Sequence, residues 1–183
     1  NGGAARPTTG MGLLMSPLAA SVFGVNLGQN VILAGGILTL AVLMVLSAFF
    51  SSSEIAMFSL ARHRIDALVE DDMPGAETVA GLKEDPHRLL VTILVGNNLV
   101  NIAMSSIATG LLGYYLSQGQ AVIAATFGVT ALVLLFGESA PKSYAVENTE
   151  SWALTIARPL KVAERVLWPL IVVFDFLTQQ VNR

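Results

Sequence analysis

Twenty consecutive residues, Val31 to Phe50, carry no charge, and this run limits what the chain can fold into more than any other feature. About 20 apolar residues in a helix is the length that crosses a bilayer. Within and after the run come Ser47, Ser51, Ser52, Ser53 and Glu54, where the span meets its inner boundary. Polar groups at that depth are costly unless they find partners in the protein or line a wet cavity. Two further stretches pose the same problem: Val95-Gly-Asn-Asn-Leu-Val-Asn101 and Phe136-Gly-Glu-Ser-Ala-Pro-Lys142.

Composition settles the class. Of 183 residues, 54% are hydrophobic and 13% charged, against about 25% charged in a soluble domain. Mean hydropathy is +0.66. The expectation is an all-α membrane protein. A net charge of -3, scattered along the chain, does not suit a nucleic-acid partner. There are no cysteines, which excludes thiol catalysis, thiolate metal sites and disulfides. Two histidines are too few for a histidine-rich zinc site.

Residues 1–28 read as a disordered or extracellular N-terminal segment. Asn1 to Gly10 is rich in Gly, Thr and Pro, and Met11 to Leu27 is interrupted by Pro17, Gly24 and Asn26. Three spans are expected, at about residues 30–58, 88–115 and 120–138. Ser51-Ser-Ser-Glu54 has the form of a capping box, so the first span is expected to break near Ser51. The third has only about sixteen apolar residues before Gly137, short for a full crossing. Between the first two spans, Ile65, Leu68 and Val69 form a helical stripe and Asp71 to Gly75 marks a turn. Juxtamembrane helices are therefore expected at about 61–85, and again at about 143–183. The apolar core of the tail, Val166 to Phe174, lies between Arg165 and Asp175 and is too short to span. An interfacial helix fits it better. Arg62, Arg64, Lys83 and Arg88 follow the first span, none precedes the third, and Lys142, Arg158, Lys161 and Arg165 follow it. The basic residues place the N-terminus outside and the C-terminus in the cytosol.

The three polar stretches converge in depth. At 1.5 Å per residue, Ser47, Asn101 and Glu138 lie roughly 24, 21 and 27 Å below the outer face. Ser47 and Ser51 share one face of the first span, as Asn97 and Asn101 do on the second. Pro141 cannot donate to the Gly137 carbonyl, which leaves that oxygen free. Hydroxyls, amide oxygens, a carbonyl and one carboxylate are hard ligands that select magnesium, calcium or sodium over transition metals. Taken singly, each has a plainer reading. Serines bond back to their own helix, asparagines bridge helices, and Glu138 at a boundary is solvated. Glu54 reads as a cap, and Lys142 as a partner for Glu138 only if the helix runs through Pro141. The weight lies in the coincidence of depth, facing and ligand type.

Leu46-Ser-Ala-Phe-Phe-Ser-Ser-Ser-Glu54, Leu94-Val-Gly-Asn-Asn-Leu-Val-Asn101 and Phe136-Gly-Glu-Ser-Ala-Pro-Lys142, in this order, resemble the CNNM/CorC (CorB) family of magnesium transport proteins. The resemblance covers most of residues 30–180. It implies a homodimeric, multi-pass plasma-membrane domain (residues 29–183) with three spans, juxtamembrane helices and a cytosolic belt helix. It implies magnesium efflux, exchanged for sodium, and it matches Ser47, Ser51, Asn97, Asn101, Gly137 and Glu138 to ion-site positions. Asn98, Glu54 and Lys142 form a secondary set. A cytosolic CBS-pair module is expected beyond the C-terminus and is absent from these residues. The alternative function is a non-transporting magnesium sensor or scaffold. An enzyme is not expected, because no histidine or cysteine lies in a span and a serine nucleophile would have only Glu138 or Lys142 as base.

Overall fold

The computed structural model describes residues 28–181. The expectation for the N-terminal segment therefore lies outside the described residues, apart from Gly28. All regular elements among the described residues are helical. They are α1 (Gln29–Ser59), α2 (Arg62–Glu70), α3 (Ala76–Lys83), α4 (Pro86–Leu112) and α5 (Gln118–Leu132). A π-helical segment (Val133–Ser139), α6 (Ala140–Glu147) and α7 (Thr149–Val181) follow.

Among the described residues, three helices are long and apolar enough to cross a membrane: Asn30–Ser59, Pro86–Leu112 and Gln118–Glu147. This matches the expected number of spans, but two details differ. The first span is unbroken through Ser51. The Ser52 and Ser53 hydroxyls donate to the Phe49 carbonyl, at 3.1 and 2.6 Å, so they bond within the helix instead of capping a new one. The capping box lies elsewhere, at the turn before α5, where Gln120 Oε1 accepts from the Ser117 N–H at 3.2 Å. The third span also does not stop near residue 138. It continues through the π segment and past Pro141 to Glu147 as one helical run. A proline ring clashes with the carbonyl four residues earlier in a regular α-helix. Here that carbonyl belongs to Gly137, and the wider π turn is the local answer. Its i→i−5 pattern shows in the Ala140 N–H, which donates to the Leu135 carbonyl.

Other helix ends follow local chemistry. Asp85 caps α4 by accepting from the Arg88 N–H at 3.0 Å, with Pro86 in the first turn, where a missing N–H costs nothing. The Lys83 ammonium donates to the Leu60 carbonyl, just past the C-terminus of α1, at 2.5 Å. Burial, and secondarily the charge of Arg62, hold Lys83 below the usual lysine pKa.

The tightest core lies at the juxtamembrane end. Met57 of α1, Ile65 and Leu68 of α2, Val79 and Leu82 of α3, and Leu89 and Ile93 of α4 are all buried there. Helix α7 completes this core with Ala153, Ile156, Ala157, Leu160, Leu167 and Ile171, spaced at three and four residues on one face. Its other face exposes Val162, Val166, Trp168, Val172 and Val173. Helix α7 is not among the three span-like helices, in line with the interfacial reading. Two ion-pair clusters fix it to the rest. Arg64 of α2 contacts Glu150 at 2.7 Å at the surface. The buried Glu164 carboxylate lies 2.6 Å from Arg88 and 3.1 Å from Lys161. A buried carboxylate needs such cations, because desolvation alone makes the charge costly.

The spans pack unevenly. Helix α1 packs against α4, and also against the π segment and α6. Helix α5 instead packs against α4. The third span thus starts on α4 and ends on α1. Close approach of α1 and α4 depends on Gly96, because a Cβ there would overlap the Phe50 ring. Higher up, Gly36 accommodates the Leu111 side chain.

Candidate functional site

Ser47 is fully buried and stands where α1, α4 and the π segment meet. Its hydroxyl lies 2.9 Å from Asn101 Oδ1 and 3.4 Å from Asn97 Oδ1. The i, i+4 spacing of the two asparagines aims both amide oxygens at one point on α1. From the third span Gly137 closes against the same serine. A Cβ on Gly137 would sit 2.8 Å from Ser47 Oγ and 3.4 Å from Ser47 Cβ. Four predicted positions, Ser47, Asn97, Asn101 and Gly137, therefore come together.

Ser51, one turn further along α1, is 1% exposed. Its hydroxyl has no hydrogen-bond partner among the described residues. For a hydroxyl so deeply buried, that calls for a reason. Thr39, Ser53, Thr92 and Ser106 all bond back to the carbonyl four residues earlier, whereas Ser51 does not. An unsatisfied buried polar group costs about 1–3 kcal/mol, so something must justify it. Ser51→Ala is expected to raise the melting stability without magnesium by about 1 kcal/mol, by removing that penalty. The same variant should show a smaller gain on adding magnesium. Melting curves with and without the ion check both effects, and an unchanged magnesium gain would remove Ser51 from the site.

Glu138 is half-buried and lines one cavity with Asn101. Among the described residues no cation pairs with it. Lys142 is drawn instead to Glu54, at 3.2 Å, tying α6 to α1. The helix does continue through Pro141, the condition for a Lys142–Glu138 pair, yet the lysine turns the other way. Glu54 and Lys142 thus neutralise each other beside the site. Asn98 is not brought in. It is exposed and donates to the Leu94 carbonyl of its own helix at 2.9 Å.

The assembled groups are oxygens with spare lone pairs around one uncompensated carboxylate. Charges in low-dielectric surroundings are paired or coordinate metals. Magnesium binds such sites through one or two carboxylates and keeps several waters. Ser51, Asn97, Asn101 and Glu138 fit that description, with Ser47 ordering the two amides and Gly137 permitting the close approach. The sequence reading stopped at Asn101 on α4. The hydroxyls of Ser105, Thr126 and Thr130 line the same cavity as Asn101 and Glu138. Their signal was the continuation of the i, i+4 ladder from Asn97 and Asn101 to Ser105.

The model of the cyclin M transmembrane N-terminal domain matches residues 37–183. The chain belongs to the CNNM family. Among its relatives are a UPF0053 protein of Haemophilus influenzae, 36% identical over 140 residues, and the UPF0053 inner membrane protein YfjD of Escherichia coli, 33% identical over 138. These alignments cover 76% and 75% of this chain but only 33% and 32% of the relatives. A chloroplast DUF21 domain-containing protein of Arabidopsis thaliana is 36% identical over 142 residues, covering 77% of this chain and 21% of its own. The chain thus spans a third or less of the length of these relatives. The CNNM match includes all six predicted ion-site positions and both of the paired residues Glu54 and Lys142.

Proposed function

We propose that this CNNM domain binds magnesium between α1, α4 and the π segment and moves it across the plasma membrane, as efflux coupled to sodium entry. The observation that carries the reading is the uncompensated Glu138 carboxylate, in a cavity shared with Asn101, together with the orphaned Ser51 hydroxyl one turn from Ser47 on α1. A cation from solution supplies what the chain leaves out. One carboxylate gives modest affinity, which suits an ion that must also leave. The proposal is transport and not catalysis. Ser47 donates to amide oxygens, which are not bases, and Ser51 has no partner among the described residues.

The proposal includes a homodimer and a cytosolic C-terminus. The exposed apolar side chains of Ile37, Leu38, Val42 and Val45 on α1 supply a surface for lipid or a second copy. The E. coli relative is named an inner membrane protein, and the Arabidopsis relative is named chloroplastic. For this chain, the cell membrane is proposed.

Purified protein in liposomes loaded with a magnesium-sensitive dye tests the function. An inward or outward sodium gradient should drive magnesium in the opposite direction. Magnesium binding without flux would replace transport with the sensor or scaffold reading. Neither binding nor flux would sink both.

A further inference from the structure

We propose that the groove between α4 and the third span is a water-filled path for a partly hydrated divalent cation. It leads from the level of Asn101 and Glu138 toward the end of the spans away from the juxtamembrane helices. The inference rests on the proposed ion site and extends it.

The groove has a physical origin. Helix α5 lies on α4, but the π segment and α6 lean onto α1, so the third span diverges from α4 along its length. The wedge left behind is a cavity of about 260 Å³, room for a cation with several waters. Glu138, Asn101, Ser105, Thr126 and Thr130 line it, together with three apolar side chains of the third span.

The polar lining is ordered along the helices. Ser105 lies one turn beyond Asn101. Thr130 and Thr126 lie two and three turns before Glu138, about 12 and 18 Å along the helix axis. Both ladders run toward the same end of the bundle. Thr126 donates to the Val122 carbonyl at 2.8 Å, and its oxygen keeps a lone pair for the groove. Ser105 and Thr130 hydroxyls have no partner among the described residues, although Thr109 and Ser106 nearby bond back to their own helix. Hydroxyls left unbonded at membrane depth are tolerated where they line a watery cavity. Toward the far end the walls become small. Ala108, Ala121 and Ala125 are buried there, which lets α4 and α5 close together. The path is thus open at the ion level and narrows at Ala108, about 6 Å before the end of α4.

The chain has no cysteine, so single cysteines report water access directly. Ser105→Cys and Thr130→Cys are near-isosteric, and Phe127→Cys on the exposed apolar face of α5 is the control. The variants, reconstituted in phosphatidylcholine vesicles, are treated on both sides with a cationic thiol reagent. Only the thiolate reacts, and it forms where water reaches it. Both groove cysteines should react about tenfold faster than the control, and millimolar magnesium should slow them severalfold. Rates equal to the Phe127→Cys control mean a lipid-filled groove and overturn the path. Fast reaction that magnesium does not slow means a wet groove without the ion and overturns it as well. Magnesium-dependent thermal stabilisation of the unmodified protein is measured in parallel. Its absence overturns the ion site and the path together, while its presence with unreactive groove cysteines overturns only the path.

Discussion

Glu138→Gln abolishes most of the magnesium-dependent stabilisation and leaves the fold intact. Glutamine keeps the shape and the hydrogen-bonding oxygen, and it removes the one carboxylate proposed as a ligand. Because Glu138 pairs with no cation among the described residues, no ion pair seen there is broken. Lys142 is already held by Glu54 at 3.2 Å. Stability without magnesium should therefore stay level or rise slightly, since an unpaired charge at membrane depth is itself costly. A ligand that binds only the folded state stabilises it by mass action, about 2.7 kcal/mol at one hundred times its dissociation constant. That increment is what the variant loses. Melting curves across a magnesium series check it, and the same increment in both proteins would remove Glu138 from the site.

Gly137→Ala attacks the site by shape and leaves its ligands in place. The added Cβ would stand 2.8 Å from Ser47 Oγ and 3.3 Å from Val133 Cγ1. Ser47 is fully buried and has no room to retreat. Either its hydroxyl leaves Asn101 or the π segment moves off α1. Overpacking of this kind costs about 1–3 kcal/mol, partly offset by the 0.5–1 kcal/mol or so that alanine gains over glycine in a helix. The expected outcome is a modest loss of stability without magnesium and a loss of at least tenfold in magnesium affinity. Glu138→Gln and Gly137→Ala thus differ in a readable way. The first spares stability without the ion, and the second does not. Wild-type affinity in Gly137→Ala would show that the Ser47 contact is packing alone.

The convergence of the three polar stretches was legible because it rests on local geometry. A fixed rise per residue sets depth, and i, i+4 spacing sets facing. Those rules placed Ser47, Asn97, Asn101 and Gly137 together; the hydrogen bonds from Ser47 reach both asparagines, and Gly137 packs against the same serine. The break at Ser51 was misread because Ser51-Ser-Ser-Glu54 and Ser117-Gln-Gly-Gln120 are hard to rank as caps by residue type alone, and it is the second that caps. At Ser117 the chain turns in the open. At Ser51 the chain is buried, and Ser53 finds the Phe49 carbonyl of its own helix. The π segment was hidden for a related reason. Pro141 announces a lost hydrogen bond, but whether the helix stops, kinks or widens depends on what packs against it. Lys142 chose Glu54 over Glu138 through the same tertiary packing. The orphaned Ser51 hydroxyl and the Ser105–Thr130 groove needed the neighbouring helices to be in place before either could be seen.

The most direct test of the ion site is a structure of the protein with manganese, which shares magnesium's preference for octahedral oxygen ligation and reveals itself by anomalous scattering. One peak is expected between α1, α4 and the π segment, within about 2.5 Å of oxygens from Asn101 and Ser51, with Glu138 bound directly or through water. Magnesium added in excess should displace it. A saturated crystal with no peak at that junction, or with manganese bound only elsewhere, would contradict the account.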